Sequence, residues 1–105
     1  MINSFDDNAS LTIAWGNERG IVRADNVYKQ FIKAVEEFGE LAKEINKGDV
    51  ENAKMEMGDV FVTLILTAAN LGFTAAEALD AAYTKISKRK GTTVNGVFVK
   101  ETETK

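Results

Sequence analysis

Cysteine, histidine and proline are all missing from the 105 residues. Without cysteine and histidine there is no disulfide, no thiol nucleophile, no imidazole base, no Ser-His-Asp triad and no His/Cys zinc site. Any chemistry must come from carboxylates, lysine, arginine, tyrosine, hydroxyls or a metal held by oxygen. The lack of proline suits long uninterrupted helices. Charge of one sign is also scarce: 13 basic against 16 acidic residues leave a net −3, with no dense basic patch. A nucleic-acid binder is therefore not expected. No apolar run approaches the roughly 20 residues of a membrane span, and no signal peptide is expected. The reading is of a cytoplasmic protein. With 45% apolar residues the chain can build a core, but a domain this short buries a modest fraction of its surface, and a partner subunit would help it.

Hydrophobic spacing predicts an all-α chain. Up to Gly20 the pattern is mixed: Phe5, Ala9 and Ile13 suit a helix, whereas Leu11, Ile13 and Trp15 alternate as in a strand. A helix ending between Gly16 and Gly20 is the expectation. From Asp25 to Lys47, the residues Val27, Phe31, Ala34, Val35, Phe38, Leu41, Ala42 and Ile45 make one helical stripe. Asp25 reads as its N-cap and Gly48 as its left-handed terminator. Asp49 caps a further helix that runs to Leu71 before Gly72, with Val60–Ala69 apolar enough to be buried on most sides. Thr74 and Glu77 spell a capping box for a last helix, expected to close at Gly91. Its apolar face comprises Ala75, Ala78, Leu79, Ala82, Tyr83 and Ile86. In the tail, Asn95-Gly96 between Val94 and Val97-Phe98-Val99 signals a short β-hairpin packed on the bundle, with a partly disordered tail as the alternative. The organisation expected is a helical domain over residues 1–91 and a tail over 92–105.

Two acidic pairs carry the chemistry. Glu37 and Glu40 lie on one helix, Glu56 and Asp59 on the next, each pair at i, i+3 and so on one helical face. The short link at Lys47–Asp49 makes the two helices an antiparallel hairpin. Glu40 and Glu56 are each eight residues from Gly48, and Glu37 and Asp59 each eleven. At 1.5 Å per residue these are about 12 and about 16 Å along both helices, so the pairs are level. Glu37 and Glu40 flank the apolar stripe beside Leu41, at the margin of a core. A single acid-x-x-acid match is ordinarily a solvated helix face. Two in mirrored register point to a shared site. Four converging carboxylates repel by several kcal/mol at low dielectric and stay ionised together only if a cation neutralises them. Oxygen-only ligation selects Mg²⁺, with Mn²⁺ as substitute. Gly39 and Gly58 each precede the second acid of a pair, at about 1 kcal/mol of helix propensity. Close approach by a helix or ligand would account for that, and so would chance.

Glu37-x-x-Glu40 followed by Glu56-x-x-Asp59 resembles the signature of the MazG-like all-alpha NTP pyrophosphatases, relatives of the dimeric dUTPases. Glu40-Leu41-Ala42, Gly58-Asp59-Val60, the Leu71-Gly72 break and Lys85-x-x-x-Arg89-Lys90-Gly91 extend the similarity over roughly Trp15 to Gly91. The resemblance implies Mg²⁺-dependent cleavage of a nucleoside triphosphate into the monophosphate and pyrophosphate, in the manner of nucleotide-pool cleaning. It implies Glu37, Glu40, Glu56 and Asp59 as metal ligands and Glu36 as the extra acid that the dUTPase-like relatives use. Either Glu40, the favoured residue, or Glu37 would activate the attacking water. Lys85 and Arg89, at i, i+4 on the last helix, would hold phosphate, or merely offset the helix dipole. Trp15 would stack on the base, or serve as core. The hairpin of helices cannot cover its own apolar surface, so a homodimer forming a four-helix bundle, or a homotetramer, is expected. A phosphoribosyl-ATP pyrophosphatase-like enzyme and a non-catalytic helical interaction module remain the alternatives.

Overall fold

The computed structural model describes residues 2–101. Four helices run in the order α1 (Phe5–Glu18), α2 (Val27–Lys47), α3 (Val50–Leu71) and α4 (Ala75–Ile86), followed by the strands β1 (Gly91–Val94) and β2 (Val97–Lys100). The chain is thus mainly helical with a small antiparallel sheet at its C-terminal side, as the sequence pattern predicts. Residues 102–105 of the expected tail lie outside the described residues.

Each boundary has a local cause. Ser4 starts α1 by accepting the Asp7 N–H at 3.0 Å. Gly48 (φ 73°) and Gly72 (φ 92°) end α2 and α3 in the left-handed region, where a Cβ would be strained. Asp49 accepts the Asn52 N–H at 3.0 Å and starts α3 two residues after α2 ends. The Thr74/Glu77 capping box is present in both directions. Asp25 does not cap α2. It sits in a 3₁₀ turn, Ala24–Asn26, and its carboxylate pairs with Arg23 at 2.6 Å. Because that turn runs directly into α2, Asn26 holds the cap position, and α2 begins without a side-chain cap.

The α2/α3 hairpin is the spine. Ala34 on α2 is fully buried, and Val60, Ile65, Leu66 and Ala68 on α3 complete the core. Helix α1 crosses α3 at Gly16, where an added Cβ would lie 2.6 Å from Leu66 Cδ2. Only glycine lets the two helices meet there. Phe5 meets Phe61 edge-on, with centroids 5.7 Å apart. The return from α1 is tied down when Asn70, buried at the end of α3, accepts the Arg23 N–H at 2.8 Å. Leu66→Ala should cost about 2–5 kcal/mol, because it empties the point where α1, α2 and α3 converge. Chemical denaturation would read that loss.

Two further expectations hold and two need correction. The Val60–Ala69 run is mostly buried, as expected, with Phe61 and Leu64 left exposed. The α2/α3 hairpin leaves part of its apolar surface uncovered, as expected: Ala34 and Leu41 face α3, whereas Phe31, Val35, Phe38 and Ile45 stay exposed. Helix α4 ends at Ile86, not at Gly91, which instead opens β1 close enough that a Cβ would collide with the Val99 carbonyl. The hairpin forms around Asn95 and Gly96, both at positive φ. It stands exposed along both strands and does not pack on the bundle. No single helix among the described residues is long and apolar enough to cross a membrane.

Candidate functional site

The two-residue turn between α2 and α3 brings the acidic pairs face to face. Glu37, Glu56 and Asp59 each place a carboxylate oxygen within 4.8 Å of the others'. Glu37 and Glu56 are half-buried and Asp59 is exposed. The Glu56 carboxyl is pushed above its ordinary 4.5, first by burial, then by the charges of Asp59, Glu37 and Glu40, and finally by a hydrogen bond that its protonated form shares with Glu37. Each cause acts the same way: the cluster holds more negative charge than it can comfortably keep. A hard divalent cation is what this oxygen-only donor set can hold.

Glu40 belongs to the same field without joining the three-way cluster. It contributes to the shift at Glu56, and its carboxylate lies 3.8 Å from Lys43 Nζ. Glu36 faces outward to Lys33, 3.6 Å away, and is not brought to the cluster. Gly39 and Gly58 have nothing within 4 Å of the position a Cβ would take, so no helix of this chain approaches them.

From the acids a cleft of about 460 Å³ runs along α2 and α3 toward α1. Its volume falls in the range of small-molecule sites. Glu37 and Asp59 line one part. Trp15, Ile21, Val62 and Leu66 give it apolar wall, and Lys29, Gln30, Lys33 and Thr63 complete the lining. Trp15 thus reaches the cleft, with the Arg19 guanidinium 4.4 Å from its ring centroid. A larger hollow of about 670 Å³ lies between α1, α3 and α4, lined mainly by Phe5, Phe61, Leu64, Phe73, Leu79 and Tyr83. Volume alone would favour it, but two of the three converging carboxylates, Glu37 and Asp59, line the smaller cleft, which is where chemistry can occur.

The basic residues are arranged differently from the expectation. Arg89 is beyond the end of α4, its N–H donating to the Ile86 carbonyl at 3.0 Å, so Lys85 and Arg89 do not share a helix. A break after Ile86 replaces the last helical turn that the i, i+4 argument needed. Both are exposed, and neither lines the acidic cleft. Lys29, Gln30 and Lys33 do line it, and the sequence reading passed over them. Their signal was available: Lys29, Lys33 and Glu37 follow at i, i+4 and i+8, which puts both bases on the face of Glu37.

Comparison with known proteins adds a family. The model of the MazG nucleotide pyrophosphohydrolase domain matches residues 27–94, from the start of α2 to the end of β1. An uncharacterized 18.2 kDa protein from the rep-hol intergenic region of Haemophilus phage HP1 is 39% identical over 54 residues, 51% of this chain and 33% of that protein. The chain therefore spans about a third of the length of this curated relative. No solved structure matches the chain.

Proposed function

The chain belongs to the MazG nucleotide pyrophosphohydrolase domain family, and from that premise we propose that it hydrolyses nucleoside triphosphates between the α- and β-phosphates with Mg²⁺ as cofactor. The observation that carries this reading is the convergence of Glu37, Glu56 and Asp59 within 4.8 Å. In the proposal these three, with Glu40, hold the cation, and Glu36 joins only if a further ion binds. Mn²⁺ can substitute. The bound ion supplies charge neutralisation at the phosphates. Glu40, outside the tight cluster, takes a proton from the attacking water; Glu37 is the second choice. The water oxygen bonds to the α-phosphorus, the bridging α–β P–O bond breaks, and pyrophosphate leaves. Trp15 stacks on the base. Residues 1–91 form the catalytic unit and 92–105 an appendage to it, and the setting is the cytoplasmic nucleotide pool.

The exposed α2 stripe supports a homodimer or homotetramer as the working form, because half-open Phe31, Val35, Phe38 and Ile45 are a large unpartnered apolar face. In that assembly, Lys85 and Arg89 serve the phosphates of a neighbouring copy's site.

Incubation with a panel of NTPs and dNTPs plus Mg²⁺, scored for pyrophosphate, tests the reading directly. Release from at least one triphosphate is expected. Release only from phosphoribosyl-ATP would move the substrate class, and no release from any nucleotide would reject the activity.

Metal should also stabilise the fold. At ten times its Kd, Mg²⁺ contributes about 1.4 kcal/mol, or roughly 6–11 °C in Tm for a domain of this size. An unchanged melt at millimolar Mg²⁺ and Mn²⁺ would count against the cluster as a metal site. The metal-free protein carries the opposite sign. Because folding raises the Glu56 pKa, the native state binds more protons than the unfolded one above the ordinary carboxylate value. Stability from this group is full at lower pH and is lost as pH rises through the raised pKa. Without metal, raising the pH through that window should therefore lower Tm more in the wild type than in Glu56→Gln. Equal slopes would show that Glu56 is not strained by its neighbours.

A further inference from the structure

The acidic cluster solves only half of a polyphosphate site. A cation held by carboxylates offsets their charge, but a substrate with several anionic phosphates still needs fixed positive charge from the protein. Within the chain, Lys85 and Arg89 are not at the cleft. Lys29 and Lys33 are.

Their placement follows from the helix. Lys33 lies one turn and Lys29 two turns N-terminal to Glu37, about 6 and about 12 Å along α2. All three share a face. Counting from the Gly48 turn, Lys33 and Thr63 are each fifteen residues away, so the first lysine is level with the next cleft-lining turn of α3 beyond Asp59. Carboxylates, two lysines and an apolar wall that includes Trp15 thus line one cleft.

A structural role for these lysines would be to screen the acids. The pairing argues otherwise. Lys33 Nζ reaches Glu36, 3.6 Å away on the exposed side of the helix, and that contact is a solvent-exposed i, i+3 pair worth little. Lys29 forms no ion pair among the described residues. Two long, flexible ammonium groups with only weak or no partners, at the mouth of a cleft, are available to an anion.

We propose that Lys29 and Lys33 are substrate-binding residues that grip the phosphate oxygens of the nucleotide while its base lies against the Trp15 wall. The inference rests on the nucleotide reading given above and adds to it the residues that hold the anionic tail. Lysine suits this role as a mobile point charge that can follow phosphates as they separate.

Lys29→Gln and Lys33→Gln should each raise the KM for the nucleoside triphosphate about tenfold, and the double variant more, with kcat within a few-fold of wild type. Lys33→Arg should restore most of the affinity. Lys54→Gln, whose lysine pairs with Glu51 in solvent, is the control and should leave KM unchanged. The Mg²⁺-induced Tm shift should survive in the double variant, because the metal ligands are intact. Trp15 is the single tryptophan, so its fluorescence reports binding of α,β-methylene triphosphate analogues without turnover. Binding to wild type at least tenfold tighter than to the double variant is expected. Pyrophosphate release and analogue binding that survive unchanged in the double variant would overturn the lysine assignment while leaving the activity standing. Analogue binding that needs the lysines, with no hydrolysis by wild type, would uphold the assignment and reject the activity. Absence of both binding and hydrolysis in wild type would overturn both.

Discussion

Glu37→Gln and Asp59→Asn should each lower turnover for pyrophosphate release by about 100-fold or more, the scale seen when one preorganised electrostatic contact to a transition state is lost. Each substitution preserves shape and removes one negative charge from the group in which three carboxylates meet within 4.8 Å. Packing is nearly untouched, since Glu37 is half-buried and Asp59 exposed. Without metal the variants should melt at or above the wild-type temperature, because the remaining acids repel each other less. Added Mg²⁺ should then stabilise them less than wild type. Activity and metal-free stability move in opposite directions, as at a site that gives up folding free energy for function. Glu77→Gln provides the control: it loosens the α4 cap, where Glu77 accepts the Thr74 N–H at 3.2 Å, and should leave turnover nearly unchanged. Near-normal pyrophosphate release by both site variants would remove the acidic cluster from the mechanism.

The legible parts of this fold are those fixed by local rules. Gly48, Gly72, the Asp49 cap, the Thr74/Glu77 box and the Asn95-Gly96 turn each act within a few residues, so a one-dimensional pattern contains them. The level pairing of the acids was legible for a related reason. A two-residue turn between rigid helices converts sequence separation directly into height, and equal counts from Gly48 become equal heights. What escaped depends on three dimensions or on competition. Asp25 looks like a cap until a 3₁₀ turn absorbs it and leaves Asn26 at the cap position. Gly16 reads as an early limit for the end of the first helix, although it lies inside α1 and admits Leu66. Arg89 fits an i, i+4 pattern only if α4 continues, and α4 stops at Ile86. Lys29 and Lys33 carry a periodicity that puts them on the Glu37 face, but only the packing of α1 against α3 makes that face the lining of a cleft. Apolar spacing also does not say which chain covers it. Ala34 and Phe38 belong to one stripe, yet one is fully buried and the other half open.

That half-open stripe leads to the second large effect. Wild type should sediment as a dimer or tetramer of 11.5 kDa subunits, and Phe38→Glu should reduce it to the monomer. Phe31, Val35, Phe38 and Ile45 lie within about 80° of one another on α2, at 100° per residue, on the side turned away from the Lys29–Glu37 face. Phe38 is 50% exposed and near the centre of this band, so a partner helix laid along it would enclose the ring. In a two-fold interface the same patch occurs on both subunits, and one substitution therefore introduces two charges. Burying an unpaired polar or charged group costs at least about 2 kcal/mol, so the pair costs about 4 kcal/mol or more. That corresponds to roughly a thousandfold in Kd. The monomer itself should stay folded, because in the isolated chain position 38 already meets solvent. Far-UV circular dichroism would establish this. Leu79→Glu is the discriminating arm. It places a charge on the exposed face of α4 beside the larger apolar hollow. Dissociation by Leu79→Glu alone would move the interface from α2 to α4, and dissociation by both would indicate the two contacts of a tetramer. If Phe38→Glu alone yields monomers, the loss or survival of pyrophosphate release then decides whether Lys85 and Arg89 of one copy act on the cleft of another. A monomeric wild type at micromolar concentration would end the argument that the open stripe is a subunit interface.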